Sequence, residues 1–230
     1  MLLKMHHITL SKKVSEEFKI SRKRAEDIIK DGQIFINKIK EIRPYIKVLD
    51  TQILTVKKEI VKAKIKLLIF NKPKGCITTQ NDERNRKTIY YYLPKRFHEF
   101  HYIGRLDYNT EGLLILTNDK KYKRELENPQ NEITRRYIVK IIGNVDNKKI
   151  TSMNKKIYGE LVYKKPNIKL MSQNQNTSSL IFELQEGKNR EIRKICEIFN
   201  LRVGSLKRVN FGKYHLKGIP IGGFKEVTIE

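Results

Sequence analysis

An α+β fold in two parts is predicted by three features of this chain. Two short amphipathic helical patterns lead into β-rich runs within residues 8 to 56. A charged stretch without turn residues or clear apolar periodicity follows. The remainder carries five further β-type runs, interrupted by only a few helical stretches, which calls for a mixed or antiparallel sheet. With 230 residues, 39% of them hydrophobic, the chain can bury a core in one large domain or two modest ones.

In the first part, Leu10, Val14 and Phe18 recur every four residues and form one apolar face of a short helix. Ser21 is placed to cap a second helix over Arg22 to Asp31, whose Ala25, Ile28 and Ile29 share a face. Gly32 sits where a left-handed C-cap belongs. Ile34 to Ile36 and Ile53 to Val56 are strand-like, with turns at Asn37-Lys38 and Leu49-Asp50 between them. This places a small domain of two helices and a small sheet over residues 1 to 58, and a linker over 59 to 66 whose end runs into the next strand.

Residues 67 to 230 read as one larger α+β domain. Its strand-like runs are Ile65 to Asn71, Leu113 to Thr117, Tyr137 to Ile142, Leu180 to Leu184 and Val203 to Phe211. His101 to Asp107 reads as a strand ending, and Tyr108 to Gly112 as a loop. The clearest helices are Lys120 to Glu127, ahead of Pro129, and Arg190 to Phe199, where Ile192, Ile195, Cys196 and Phe199 line one face. The polar stretch Ser172 to Ser179 is expected to be a loop joining two strands.

Charge narrows the function. With 49 Lys and Arg against 25 Asp and Glu, the net charge is +24, and the pI lies near 9.9. Part of that excess belongs to a general richness in Lys, Ile and Asn, yet a polyanionic partner is indicated. No long apolar or amphipathic stretch suggests a membrane. Cys76 and Cys196 lie far apart and suggest neither a disulfide framework nor a zinc site, which fits a reducing compartment. The opening residues MLLKMHHITLSKK lack the apolar run of a signal peptide, so the cytoplasm, or the interior of a bacterial-type organelle, is expected. Neither His6-His7 nor His98-x-x-His101 has nearby cysteines or an H-E-x-x-H spacing, so no metal is expected. Neither G-x-G-x-x-G nor G-x-x-x-x-G-K-[ST] occurs, which argues against dinucleotide and P-loop chemistry.

Two regions carry stronger signals. Ser21-Arg22-Lys23-Arg24 puts three cations in the first turn of a helix, where the macrodipole disfavours them and a phosphate would compensate. Residues 21 to 56 resemble the small RNA-binding domain named after a small-subunit ribosomal protein. They depart from it at Asn37-Lys38, where that family usually has a glycine in the turn. The second region is GRLDYNTEGLLILTND, residues 104 to 119. An aspartate at a strand-to-loop edge, such as Asp107, is by itself more often a turn or cap residue.

The whole string, however, resembles the signature of the RsuA/RluB group of ribosomal-RNA pseudouridine synthases. Three further segments agree in order: KPKG at Lys72 to Gly75, RRYIVKIIG at Arg135 to Gly143, and EGKNREIRKICEIFNLRVGSLKRVNFG at Glu186 to Gly212. The resemblance implies that Asp107 attacks the target nucleoside, that Tyr137 packs its ring on the uracil and that Arg193 pairs with Asp107. Ile192 would complete an apolar wall, and Arg105 would reach into the RNA where the base has left the stack. Contacts to RNA are expected from Arg22, Lys23, Arg24, Lys38, Lys72, Lys74, Lys188 and Arg190. Lys188 stands where the family more often has arginine, a change that weakens bidentate phosphate binding.

That chemistry suits these residue types. Making pseudouridine breaks N1–C1′, rotates the base, joins C5–C1′ and removes the C5 proton, so it needs a carboxylate but no redox step, cofactor or metal. A guanidinium such as Arg193 would offset the cost of burying Asp107. The closing segment from Arg202 is closer to the large-subunit members of the group. A monomer acting on structured ribosomal RNA, or on a ribosome-assembly intermediate, is the expectation. The rival is a non-catalytic RNA-binding or assembly factor with the same fold, which has no need of a carboxylate facing a polyanion.

Overall fold

The computed structural model describes residues 7–56, 64–155, 157–158 and 162–229, in two compact units divided between Lys64 and Ile65. Residues 59–63 of the expected linker lie outside the described residues. Ile65 and Lys66, assigned to that linker from sequence, already belong to the second unit: Ile65 pairs with Ile229, and Lys66 with Thr228. The backbone N–H of Lys66 also donates to Asn118 Oδ1 at 2.8 Å.

The first unit runs β1 (His7–Thr9), α1 (Leu10–Glu17), α2 (Arg22–Lys30), β2 (Ile34–Ile36), β3 (Ile39–Glu41), β4 (Lys47–Leu49) and β5 (Leu54–Val56). Leu10 and Val14 of α1 pack with Ala25, Ile28 and Ile29 of α2 on Ile34, Val48 and Leu54, forming one small core. Ser21 caps α2 as expected, its hydroxyl accepting from the Arg24 N–H at 3.2 Å. Gly32 takes φ +66° just beyond the helix. Asn37 and Lys38 both adopt left-handed φ, +50° and +67°, the geometry of a two-residue hairpin turn. They connect β2 to β3, a strand that sequence patterning missed because Ile39 and Lys40 are exposed. The second turn falls one residue later than expected, since Leu49 pairs with His7.

The second unit contains β6 (Ile65–Lys72), β7 (His101–Ile103), β8 (Glu111–Thr117), α3 (Lys120–Glu127), β9 (Arg135–Ile142), α4 (Asn147–Met153), β10 (Ile157–Tyr158), β11 (Val162–Tyr163), β12 (Asn167–Gln173), β13 (Thr177–Leu184), α5 (Glu191–Ile198), β14 (Arg202–Phe211), β15 (Tyr214–His215) and β16 (Phe224–Ile229). Its main sheet runs β12-β13-β9-β14-β8-β6-β16, with β7 beside β8 and β15 beside β14. The polar stretch 172–179 is mostly strand rather than loop, because β12 extends to Gln173 and β13 starts at Thr177. The turn between them is closed by Asn174, whose Oδ1 accepts from the N–H groups of Asn176 and Thr177. β12 is exposed at nearly every position, so its sequence has no apolar period to betray it.

β6 and β8 each carry an unbroken apolar run, Leu67 to Phe70 and Leu113 to Leu116, because both faces of the sheet are covered there. Leu68, Phe70, Leu114 and Leu116 face one cluster with Ile89, Phe97 and Leu106. Leu67, Ile69, Leu113 and Ile115 face the opposite one with Ile103 and Phe211. A third cluster, built on Val139, Ile141, Leu180 and Phe182, seats α4 and α5 on β9 and β13.

The two halves of the sheet meet where β14 runs parallel to β8, the one parallel strand pair among the described residues, through Lys207 opposite Glu111 and Arg208 opposite Gly112. A single lateral row then crosses the seam: Lys72, Gly112, Arg208, Tyr137 and Phe182 are successive partners. Gly112 has φ +106°, and a Cβ built there would lie 2.2 Å from the Arg208 carbonyl oxygen. Only glycine lets the strands approach this closely. Gly112→Ala should therefore lower unfolding free energy by at least about 2 kcal/mol, from left-handed strain plus the clash. A denaturant titration showing unchanged stability would contradict this account of the seam.

Candidate active site

Asp107 sits in the loop between β7 and β8, and this loop is held by its backbone. Gly104, at φ +63°, turns the chain out of β7, and its N–H donates to Glu127 Oε1 at 2.8 Å. Lys123 in turn grips Glu127 and donates to the Tyr102 carbonyl. The Thr78 hydroxyl donates to the Leu106 carbonyl at 2.8 Å and accepts the Leu106 N–H at 3.3 Å. The Tyr108 carbonyl receives the Gly75 N–H at 3.0 Å, and the Asn109 carbonyl receives Arg193 Nη2 at 3.0 Å.

At the centre is Lys72. Its ammonium is fully buried and donates to three carbonyls: Asp107 at 3.1 Å, Thr110 at 2.9 Å and Pro73 at 3.1 Å. Three donors meet three acceptors, so the buried charge is saturated by hydrogen bonds. Burial lowers its pKa, while Cys76, Asp107 and Glu111 act to raise it. Lys72 was expected on the RNA-facing surface, and the structure corrects this. The C-terminal end of β6 carries it inward, where it clamps the Asp107 loop. The KPKG segment, a generic basic turn when judged alone, thus supplies both Lys72 and the Gly75 N–H that fix that loop.

With its main chain tied down, the Asp107 side chain is left exposed at the edge of a cavity of about 400 Å³, a size within the range of ligand pockets. Tyr137 of β9 and the buried Ile192 of α5 line it together with Leu184 and Leu206. Arg105, Lys188 and Arg190 also line it. The structure thus gathers Asp107, Arg105, Tyr137, Ile192, Lys188 and Arg190 around one opening. Lys74 is exposed but lies outside this lining. Arg22, Lys23, Arg24 and Lys38 belong to the first unit, where all four are exposed.

Arg193 departs from expectation. Among the described residues, no ion pair within 4.0 Å joins it to Asp107. Its guanidinium is spent on the Asn109 carbonyl, and its Nε is buried without a partner. Burial is the main influence lowering its pKa, followed by Arg190, while the charge of Asp107 opposes both. Arg193 therefore steadies the loop two residues after the carboxylate instead of clasping the carboxylate itself.

Four lining or supporting groups were missed from sequence. Arg208 is buried in the pocket wall, its Nε donating to the Leu113 carbonyl at 2.7 Å. Arg135 stacks over Phe211 at 4.8 Å, and burial lowers its pKa. Both lie inside segments that the resemblance covers, but nothing in their spacing tells a wall residue from a surface cation. Thr78 and Glu127 lie outside those segments and carry no signal, because their role is to meet backbone groups brought close by the fold.

An exposed carboxylate beside an aromatic ring, an apolar wall and several guanidinium groups can receive a planar, neutral base attached to an anionic backbone. Among the described residues, no helix is long and apolar enough to cross a membrane.

Comparison with known proteins agrees with that chemistry. Residues 66–197 match the family described as RNA pseudouridylate synthase. The chain is 37% identical over 225 residues to an uncharacterised RNA pseudouridine synthase of Rickettsia felis, covering 95% of this chain and 96% of that protein. It is 33% identical over 222 residues to the ribosomal large subunit pseudouridine synthase B of Salmonella typhimurium, covering 91% and 75%. A crystal structure of a pseudouridylate synthase superposes with a TM-score of 0.66 over 96% of both chains, at 19% identity, and so shares the fold. The chain belongs to the RNA pseudouridylate synthase family. Within it the chain is an RNA pseudouridine synthase of the RsuA/RluB type.

Lys72→Met should remove the clamp and leave three carbonyls short of a donor. A loss of about 3 kcal/mol in stability is expected from such bonds. Misplacement of the loop should lower turnover about 10²-fold. Urea unfolding and tritium release from uracil-C5-labelled RNA check both, and a variant with wild-type values of each would disprove the clamp.

Proposed function

We propose that this enzyme converts a uridine of ribosomal RNA, in the large subunit, to pseudouridine, with Asp107 as nucleophile. The observation that carries the reading is the contrast at Asp107: its loop is tied at each carbonyl from Leu106 to Thr110, while its carboxylate is exposed at the pocket. Such preorganisation is what an attacking group needs. The large-subunit assignment draws on the Salmonella typhimurium relative and on the closing segment from Arg202.

In this reading the target base leaves its stack, at a cost of a few kcal/mol. Packing on Tyr137 and against Ile192 offsets that cost, while Arg105 occupies the space the base has vacated. Asp107 then forms a bond to the nucleoside as N1–C1′ breaks. The freed uracil turns within the pocket and C5 joins C1′ as the carboxylate is released; the C5 proton then passes to water, and N1, left anionic by the cleavage, takes one up. Attack at C1′, attack on the ring and assistance to a glycal all begin from the same carboxylate position. Arg208 and Arg135 hold a positive field behind the pocket that favours binding of the anionic strand.

The first unit serves as an RNA anchor in this scheme, with Arg22, Lys23 and Arg24 in the opening turn of α2 and Lys38 in the hairpin turn reaching phosphates. Lys74, Lys188 and Arg190 do the same for the second unit. The enzyme acts as a monomer in the cytoplasm on rRNA or an assembly intermediate.

Asp107→Asn should abolish tritium release from uracil-C5-labelled rRNA while leaving RNA affinity within about threefold, since charge reversal at the mouth is not involved. Equal release from both proteins would sink the nucleophile assignment. Replacing Arg22, Lys23 and Arg24 together with alanine should flatten the slope of log K against log salt by up to about 2.7, if each meets one phosphate. An unchanged slope would remove the first unit from the RNA interface.

A further inference from the structure

The rim of the pocket is a short segment, Glu186 to Glu191, that carries Lys188 and Arg190 toward the opening. Two carboxyl groups brace it from behind. Glu191, the first residue of α5, is 4% exposed, and its Oε2 accepts the Lys188 N–H at 2.9 Å. Its Oε1 is buried with no donor to meet it. The neighbouring carboxyl is that of Glu186, tied to the same lysine: Glu191 takes the Lys188 N–H and Glu186 the Lys188 ammonium. Glu186 has donors of its own: the Lys164 N–H at 2.6 Å and Lys188 Nζ at 2.9 Å.

Two ionised carboxylates cannot donate to each other, so the arrangement leaves a buried acceptor facing an acceptor unless one carboxyl holds a proton. The proton belongs on Glu191, because Glu186 is already served by an ammonium and a backbone N–H. We infer that Glu191 is a positioning residue that works as the neutral acid, donating to Glu186 and thereby holding the Lys188–Arg190 rim in place for RNA.

Burial, chiefly, pushes the Glu191 carboxyl up to about 7, with Glu186 adding to the rise and the Lys188 N–H and ammonium opposing it. The other charged groups around it are Arg190 on the same segment and Arg135 from β9, whose own charge is favoured by Glu191. Lys164 faces Glu186 through its backbone, while its ammonium is engaged with Glu132. A raised folded-state pKa stabilises the fold fully below the ordinary glutamate range, and that contribution is lost as pH rises through about 7. The rim should therefore loosen in mildly alkaline solution.

The test compares kcat and KM for tritium release from uracil-C5-labelled rRNA between pH 6 and 8.5 in the wild type, Glu191→Gln and Glu191→Ala. The glutamine amide can still donate to Glu186 and accept from Lys188, so it mimics the neutral acid at every pH. Wild-type kcat/KM should fall above neutrality, approaching about tenfold per pH unit, with most of the loss in KM. Glu191→Gln should match the wild type at pH 6 within about threefold and stay flat, while Glu191→Ala should have a raised KM throughout. A glutamine variant that declines with the wild type, or that resembles the alanine variant at every pH, would overturn the proposal. Release by the wild type at pH 6 reports the reaction itself, so failure of this inference is distinguishable from failure of the Asp107 assignment.

Discussion

A buried ammonium sets the geometry of this enzyme. Burying the charge of Lys72 is costly unless each of its donors finds an acceptor, and the acceptors are the carbonyls of Asp107 and Thr110 together with that of Pro73. The loop cannot move without stranding the charge. The charge, equally, cannot stay buried without that loop conformation. Because Lys72 lies in the same lateral row as Gly112, Arg208 and Tyr137, this local requirement fixes the carboxylate beside the aromatic ring. The close seam between β8 and β14 completes the arrangement by bringing α5 and Ile192 to the far side of the pocket.

The same geometry changes how the large positive charge is understood. A net +24 suggests a surface built for a polyanion, yet several of the cations nearest the pocket are occupied internally. Lys72 holds carbonyls, Arg193 holds the Asn109 carbonyl, and Arg208 and Arg135 are packed against Phe211. In the proposed scheme these groups act on RNA through the field they create and through the shape they enforce. Direct phosphate contacts, in the same scheme, fall to exposed residues such as Arg190 and the opening turn of α2.

Much of the architecture was legible because its signals are local. The capped helix α2, the apolar runs within β6 and β8 and the amphipathic α5 follow from spacing and capping alone. β12 and β3 were not, since strands exposed along most of their length carry no apolar period. At the site, Asp107, Tyr137 and Ile192 could be named because their segments keep a recognisable order. The partners of Arg193 and Lys72 could not, because a lysine in a Lys-Pro-Lys-Gly turn looks the same whether it points to solvent or to three carbonyls. Glu127 and Thr78 are harder still: their function is to satisfy backbone groups of Gly104 and Leu106, and that pairing exists only after the chain has folded.

Amide hydrogen exchange on the RNA-free protein tests the central claim most directly. If the clamp presets the loop, the N–H groups of Gly75, Leu106 and Thr110, which bond to or within the loop that Lys72 holds, should exchange as slowly as those of β6 and β8. Exchange at the rate of an exposed loop, with protection acquired only when RNA is bound, would contradict the account: the site would then be organised by its substrate, and not by Lys72.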